Sequence, residues 1–341
     1  MVEYRFATEE QIGLAMDARR IMEKELKPRI EELEHGNGGR GEFPVDVLKI
    51  MARAGYFAMD IPEKWGGLGL DTVTQCIIQE EMSKVDAGFT FNLNGAGMNF
   101  EYIESSHIPE EDKQAWADKM LAGEATGAFC FTGPQAGSDA AAIRTTAVRD
   151  GDDWVISGNK CFVTNGPLAD YFIVAAWTDK TVSAGKGVTL FFVEKERGVQ
   201  VGSMENKMGI KLSVTSDIIF DGVRVPNDHV VGEIGGGFKE FMRHMDLVRV
   251  KGMIYALGIA QAAIDCAAEY ATTRSAFGKP IIKHQGLAFL LADMQIRTEA
   301  SRAILYEGAR LYDEGRPLDS VLASSSKWRH GKTAKPFLRS C

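Results

Sequence analysis

Trp154-Val155-Ile156-Ser157-Gly158-Asn159-Lys160-Cys161-Phe162-Val163-Thr164-Asn165-Gly166 is the stretch that decides the fold class. Trp154-Val155-Ile156 and Cys161-Phe162-Val163 are β-branched and aromatic runs of strand type. Ser157-Gly158-Asn159 and Asn165-Gly166-Pro167 are turn signals between such runs. Outward from here the texture continues. Tyr171-Phe172-Ile173-Val174, Leu190-Phe191-Phe192-Val193, Ile218-Ile219-Phe220 and Val223-Arg224-Val225-Pro226 are further short runs, and Asp150-Gly151-Asp152 is a further turn. No long helical pattern interrupts residues 126–236, which predicts an antiparallel sheet or barrel rather than a parallel α/β sheet.

Both flanks are helical. Phe43-Pro44 followed by Val47, Leu48, Ile50 and Met51 predicts a helix that starts at a tolerated proline and stops at Gly55. The glycines and proline of residues 61–69 force a loop, and helical spacing resumes from Thr72 to Lys84. After Gly235-Gly236-Gly237, the residues Phe238, Phe241, Met245, Val248, Met253, Leu257, Ile264 and Ala267 predict a helix over about 238–272. At ~1.5 Å per residue it would be roughly 50 Å long. A second helix is expected over about 285–314 and a third from near Leu318, which together read as a bundle. The expected class is α+β multidomain: an N-terminal all-α domain over 1–125, a middle β-barrel domain over 126–236, and a C-terminal helical bundle over 237–341.

The 341 residues, 45% hydrophobic and 25% charged, exclude a disordered or low-complexity chain, and the length suggests two or three domains. Lys plus Arg is 39 against 47 for Asp plus Glu, a net charge of −8. That balance disfavours a nucleic-acid partner or an anionic membrane surface. The five cysteines (Cys76, Cys130, Cys161, Cys266, Cys341) form no CxxC, so neither a disulfide framework nor a zinc site is indicated. Six scattered histidines without a helical HxxxH pair suggest no metal. No apolar leader and no unbroken run of about 18 apolar residues is present, so a cytoplasmic chain without a membrane span is expected.

Three segments could carry chemistry. Phe129-Cys130-Phe131-Thr132-Gly133-Pro134-Gln135-Ala136-Gly137-Ser138-Asp139 is a loop whose small residues let backbone approach a ligand. Phe162 and Thr164, two apart on a strand, could flank a flat heterocycle. Arg274, followed by Phe277-Gly278-Lys279-Pro280 and Gln285, offers a fixed cation suited to pyrophosphate. Each also fits a plainer role: a connection, a core aromatic, or a solvated arginine favoured by a helix C-terminus. No GxGxxG supports a Rossmann site.

Taken together and in this order, the motifs resemble those of the acyl-CoA dehydrogenase family over nearly the whole chain. The carriers are IPEKWGGLG at 61–69, FTGPQAGSD at 131–139, SGNKCFVTNG at 157–166, KMGIKLSVTSDIIFDGVRVP at 207–226 and RSAFGKPIIKHQGLAFLLADM at 274–294. The resemblance implies FAD as cofactor and a homotetramer or dimer. It implies α,β-dehydrogenation of an acyl-CoA thioester in fatty acid metabolism, with electrons passed to an electron-transferring flavoprotein. By the same resemblance, Phe129, Phe131, Thr132, Gly137, Ser138, Phe162 and Thr164 line the flavin, Thr164 near N5. Arg274, Phe277 and Gln285 reach the pyrophosphate and adenosine half from a neighbouring subunit. Ser138, Asp246 and Arg249 lie near the acyl-CoA.

The departure concerns the base. The family's usual glutamate would lie beyond Cys341, and the alternative position on the first bundle helix is held by Val248, which cannot accept a proton. Pro336 also falls where the family's helix continues. The sequence therefore reads as a C-terminally shortened member with its catalytic residue unassigned. The alternative is a non-catalytic remnant that binds flavin or acyl-CoA.

Overall fold

The computed structural model describes residue 4 and residues 6–316; the helix expected near Leu318, Pro336 and the tail to Cys341 lie outside the described residues. Seven helices come first: α1 (Glu9–Glu25), α2 (Ile30–Gly39), α3 (Val45–Arg53), α4 (Thr72–Ser83), α5 (Ala87–Gly97), α6 (Phe100–Glu104) and α7 (Glu110–Leu121). The β region follows with β1 (Gly127–Cys130), β2 (Thr146–Asp150), β3 (Asp153–Thr164) and β4 (Tyr171–Trp177). A single helical turn, α8 (Ala184–Gly187), precedes β5 (Val188–Glu194), β6 (Gln200–Met204), β7 (Thr215–Pro226) and β8 (Val230–Val231). Last come α9 (Gly237–Thr273), the hairpin β9 (Ser275–Ala276) and β10 (Lys279–Pro280), and α10 (Gln285–Asp313). These elements form two compact units, one of Met1–Lys27, Asp71–Thr90 and Met245–Cys341, the other of Pro28–Leu70 and Phe91–His244.

The second unit is built on an eight-stranded sheet in the order β6-β7-β3-β2-β4-β5-β8, with β1 beside β4. Most pairs are antiparallel; β1 runs parallel to β4, and β2 meets β4 in parallel at Thr146 and Trp177. Trp154, Ile156, Phe172, Val174, Phe191, Phe220 and Val225 fill its core. Tyr171 and Phe192 point the other way and are covered by the Trp116 ring of α7, at centroid distances of 5.2 and 5.5 Å. With both faces covered, β4 and β5 are continuous apolar runs, as doubly buried strands should be.

The expected turn at Ser157-Gly158-Asn159 is instead strand interior, because β3 runs straight through it and the extra residue of a bulge falls on β7. Ile156 pairs with Val223 and Gly158 with Phe220, so Ser157 alone opposes Asp221 and Gly222 of β7. Gly158 has φ 145, and a Cβ there would come within 2.7 Å of Thr145 Cα. Only glycine fits that position.

In the first unit α4 packs between α1 and α10 and is buried over nearly its whole length, polar residues included. Thr8 and Gln11 form a capping box on α1, and Gln11 Nε2 also donates to Thr74 Oγ1 at 2.8 Å. The first turn of α4 is held twice over. Asp71 Oδ1 accepts from Thr74 N–H at 2.6 Å, while Asp313 of α10 accepts from the N–H groups of Thr72 and Val73 at 2.9 and 3.0 Å. Buried Gln75, Glu80 and Glu81 are satisfied by Lys251 at 2.6 Å, by Arg302 and Tyr306, and by Tyr4, Arg19 and Lys84. By length and composition alone α9 could cross a membrane; half of its most apolar stretch is buried in the protein, as for a bundle core helix. Cys76 on α4 and Cys130 on β1, one in each unit, are buried free thiols, and burial pushes both up to about 12.

Candidate functional site

Two ties fasten the loop after β1 to β3. Cys161 N–H donates to the Thr132 carbonyl at 2.9 Å, and the Lys160 ammonium donates to the Phe131 carbonyl at 2.9 Å. Gly133 and Ala136 then close on each other around Pro134-Gln135, with Ala136 N–H on the Gly133 carbonyl at 3.0 Å. Proline is favoured at the second position of such a turn. Gly137 opens on free space and Ser138 is exposed.

Immediately beyond, a further register shift puts the extra residue on β3 itself. Lys160 pairs with Ile218 and Val163 with Ser216, so Cys161 and Phe162 together oppose Asp217. Phe162 adopts φ 56, a left-handed conformation unfavourable for an aromatic residue, and its ring is 66% exposed. The bulge turns it out of the core. Thr164 lies on the same outward side, as its spacing suggests, and is half-buried. Across from it stands Gly95 of α5, where a Cβ would be 3.9 Å from Thr164 Cγ2; a larger side chain would crowd the threonine. The hydroxyls of Thr132, Ser138 and Thr164 have no partner among the described residues. An exposed flat ring, three ungripped hydroxyls and a close-approach loop match a planar heterocycle with ring nitrogens and carbonyls. The isoalloxazine of a flavin is such a group.

Behind the loop, Phe129 and Phe131 belong to a stack of near-parallel rings. Phe241 of α9 lies 3.5 Å from Phe131 and 5.8 Å from Phe129, centroid to centroid. Phe131 is buried, its ring is stacked on Phe241 and its carbonyl accepts from Lys160. His244 stacks beside Phe129 at 5.9 Å and shares a 2.8 Å hydrogen bond between Nδ1 and Glu101 Oε1.

The remaining expected residues belong to the first unit. On α9, Arg249 Nη1 donates to Asp246 Oδ1 at 2.5 Å, with partly buried Val248 between them in sequence. After α9 the chain forms the β9–β10 hairpin, whose two-residue turn Phe277-Gly278 has positive φ at both positions. Phe277 is 95% exposed, and among the described residues the His284 ring alone stands edge-on to it, at 5.9 Å. Arg274 and Gln285 are exposed, and their side chains have no partner among the described residues.

Sequence reasoning quotes Lys160 in a motif without assigning it a role, and treats His244 as a scattered histidine. For Lys160 a signal existed: it shares the period-two face of Trp154 and Ile156, both of which point inward. For His244 none did, since Glu101 is 143 positions away.

Comparison with known proteins matches this architecture end to end. Family models for the acyl-CoA dehydrogenase N-terminal, middle and C-terminal domains match residues 8–124, 128–223 and 235–341. The mitochondrial short-chain specific acyl-CoA dehydrogenase of Bos taurus is 38% identical over 313 residues, spanning 91% of this chain and 74% of that one. Butyryl-CoA dehydrogenase from Megasphaera elsdenii superposes with a TM-score of 0.91 at 33% identity, covering 100% of this chain and 88% of the other. A chain in the structure described as "Electron transferring flavoprotein of Acidaminococcus fermentans: Towards a mechanism of flavin-based electron bifurcation" gives 0.88 at 34% identity, covering 99% and 88%. The protein is thus a flavoprotein oxidoreductase acting on CH–CH bonds, with N-terminal helical, middle β and C-terminal helical domains. The chain belongs to the acyl-CoA dehydrogenase family.

Proposed function

We propose that the chain is an FAD-dependent dehydrogenase of a short acyl-CoA thioester, passing electrons to an electron-transferring flavoprotein. The observation that carries the cofactor is the β3 bulge at Cys161-Phe162, which holds Phe162 outward beside the free Thr164 hydroxyl. FAD would supply the hydride acceptor, N5 of its ring. Phe162 would lie against the ring and Thr164 would donate near N5, while Thr132, Gly137 and Ser138 would offer hydroxyls and backbone along the 131–139 loop. Phe129 and Phe131 back that loop and exclude water. Ser138, Asp246 and Arg249 are the residues the family resemblance assigns to the acyl-CoA, and within its own unit Arg249 is kept in one orientation by the Asp246 carboxylate. The short acyl chain is supported by the substrates named for the bovine and Megasphaera proteins. The electron acceptor is supported by the Acidaminococcus structure.

A homotetramer or dimer belongs to the same reading, because Arg274, Phe277 and Gln285 face solvent on a single chain and suit a neighbour's FAD pyrophosphate and adenosine. The unpaired cysteines suit a reducing, cytoplasmic setting. Val248, apolar where some of the family carry the base, favours a second reading in which flavin and acyl-CoA bind without turnover. Anaerobic mixing of FAD-loaded protein with butanoyl-CoA separates the two. Bleaching of the flavin band supports the dehydrogenase, bound but unbleached flavin supports the second reading, and a folded protein that takes up no FAD refutes both.

A further inference from the structure

Lys160 occupies a core position. Its relative exposure is 0%, and its neighbours on the inward face of β3 are Trp154, Ile156 and Val163. The ammonium donates to the Phe131 carbonyl at 2.9 Å and to the Ala175 carbonyl of β4 at 2.7 Å. The Phe131 ring lies 5.9 Å from the ammonium; its third N–H has no hydrogen-bond partner, and no carboxylate pairs with it, among the described residues. A buried ammonium without a counter-ion is costly, and an unbranched apolar side chain would fill the same space without that cost. Burial pushes the group down to about 8, and the titratable groups facing it are the Cys130 and Cys161 thiols. At neutral pH it therefore still carries its charge, directly behind the loop assigned to the flavin.

We propose that Lys160 is a positioning residue of the flavin site that pins the Phe131 carbonyl and stabilises the negative charge the flavin ring acquires on reduction. The inference rests on the flavin reading above. Two electrons with one proton leave one negative charge on the ring. A positive charge that is shielded from water and lacks a counter-ion acts on such a charge more strongly than a surface lysine does. The reverse also holds: the new negative charge favours the protonated ammonium. Above about pH 8, reduction then draws one further proton onto Lys160.

The test is the potential of bound FAD, titrated with dithionite against reference dyes from about pH 6.5 to about 9.5, in wild type, Lys160→Met and Lys160→Arg. Lys160→Met is expected to retain FAD but shift its equilibrium at neutral pH tenfold or more towards the oxidised form, about 30 mV for a two-electron couple. Wild type is expected to steepen above about pH 8 by up to tenfold per pH unit, and Lys160→Met to lack the steepening. Lys160→Arg, always charged, restores the neutral-pH potential without the steepening. Equal potentials with parallel pH profiles overturn the inference and leave the flavin reading standing. A folded wild type that takes up no FAD overturns both. If Lys160→Met does not fold, the wild-type profile decides, and no steepening above about pH 8 refutes the role.

Discussion

Arg302 grips Glu80 through two nitrogens, Nε at 3.0 Å and Nη2 at 2.8 Å from Oε1, with both side chains almost completely buried. Tyr306 donates to the other carboxylate oxygen at 2.9 Å, and Gln261 Oε1 accepts from Arg302 at 3.0 Å. The group of four joins α4, α9 and α10 within one unit. Arg302→Met strands the Glu80 charge, so a loss of about 3–5 kcal/mol is expected in urea unfolding. Adding Glu80→Gln should recover part of it. A single substitution within about 0.5 kcal/mol of wild type would mean that water already reaches the pair.

Thr164→Val keeps the shape at the β3 bulge and removes one free hydroxyl. FAD affinity should fall about fivefold, the equivalent of ~1 kcal/mol, and the flavin spectrum should shift. Thr164→Ser should bind nearly as wild type. Fluorescence titration of apoprotein with FAD measures both, and unchanged affinity in the valine variant would remove Thr164 from the site.

Arg274 and Phe277 touch little in their own chain, so replacing them should leave the fold intact. Arg274→Ala is expected to weaken FAD retention tenfold or more, as the loss of a charge-assisted contact does. Phe277→Ser should lower the assembly state seen by analytical ultracentrifugation. Unaltered retention and mass in both would place the hairpin outside any shared site.

The lysine in the core of the β sheet also predicts a stability profile for the apoprotein. Lys160 has its proton affinity lowered to about 8 by burial, below the ordinary lysine value of 10.5. Between those values the unfolded chain holds a proton that the folded chain has released, so stability rises with pH in that window. Lys207, also lowered to about 8 by burial, acts in the same direction and is present in either protein. Wild type should therefore gain stability relative to Lys160→Met from about pH 8 to about 9.5 in denaturant melts. A constant difference would mean that Lys160 titrates normally.

Much of the fold is legible in residues 126–236 and 237–314, because strand and helix periods are local properties of the chain. The bulges are not. Gly158 looks like a turn residue because its positive φ serves both purposes, and only the residue count on β7 tells them apart. The outward placement of Phe162 likewise depends on Asp217, 55 positions away in sequence, opposing two residues of β3. The pairing of Phe131 with Phe241 brings a loop and a helix start together across more than a hundred residues, beyond the reach of spacing rules. The loop 131–139 stands out as a candidate ligand loop because small residues signal backbone access directly.

Cys76 and Cys130 sit fully enclosed, one in each compact unit. With Cys161, Cys266 and Cys341 changed to serine, the two thiols become independent clocks. A disulfide reagent could reach either only when the surrounding unit opens, since neither is exposed or ionised in the closed protein. Two labelling rates with different denaturant dependence would show that the units breathe separately, and a single shared rate would show that they open as one.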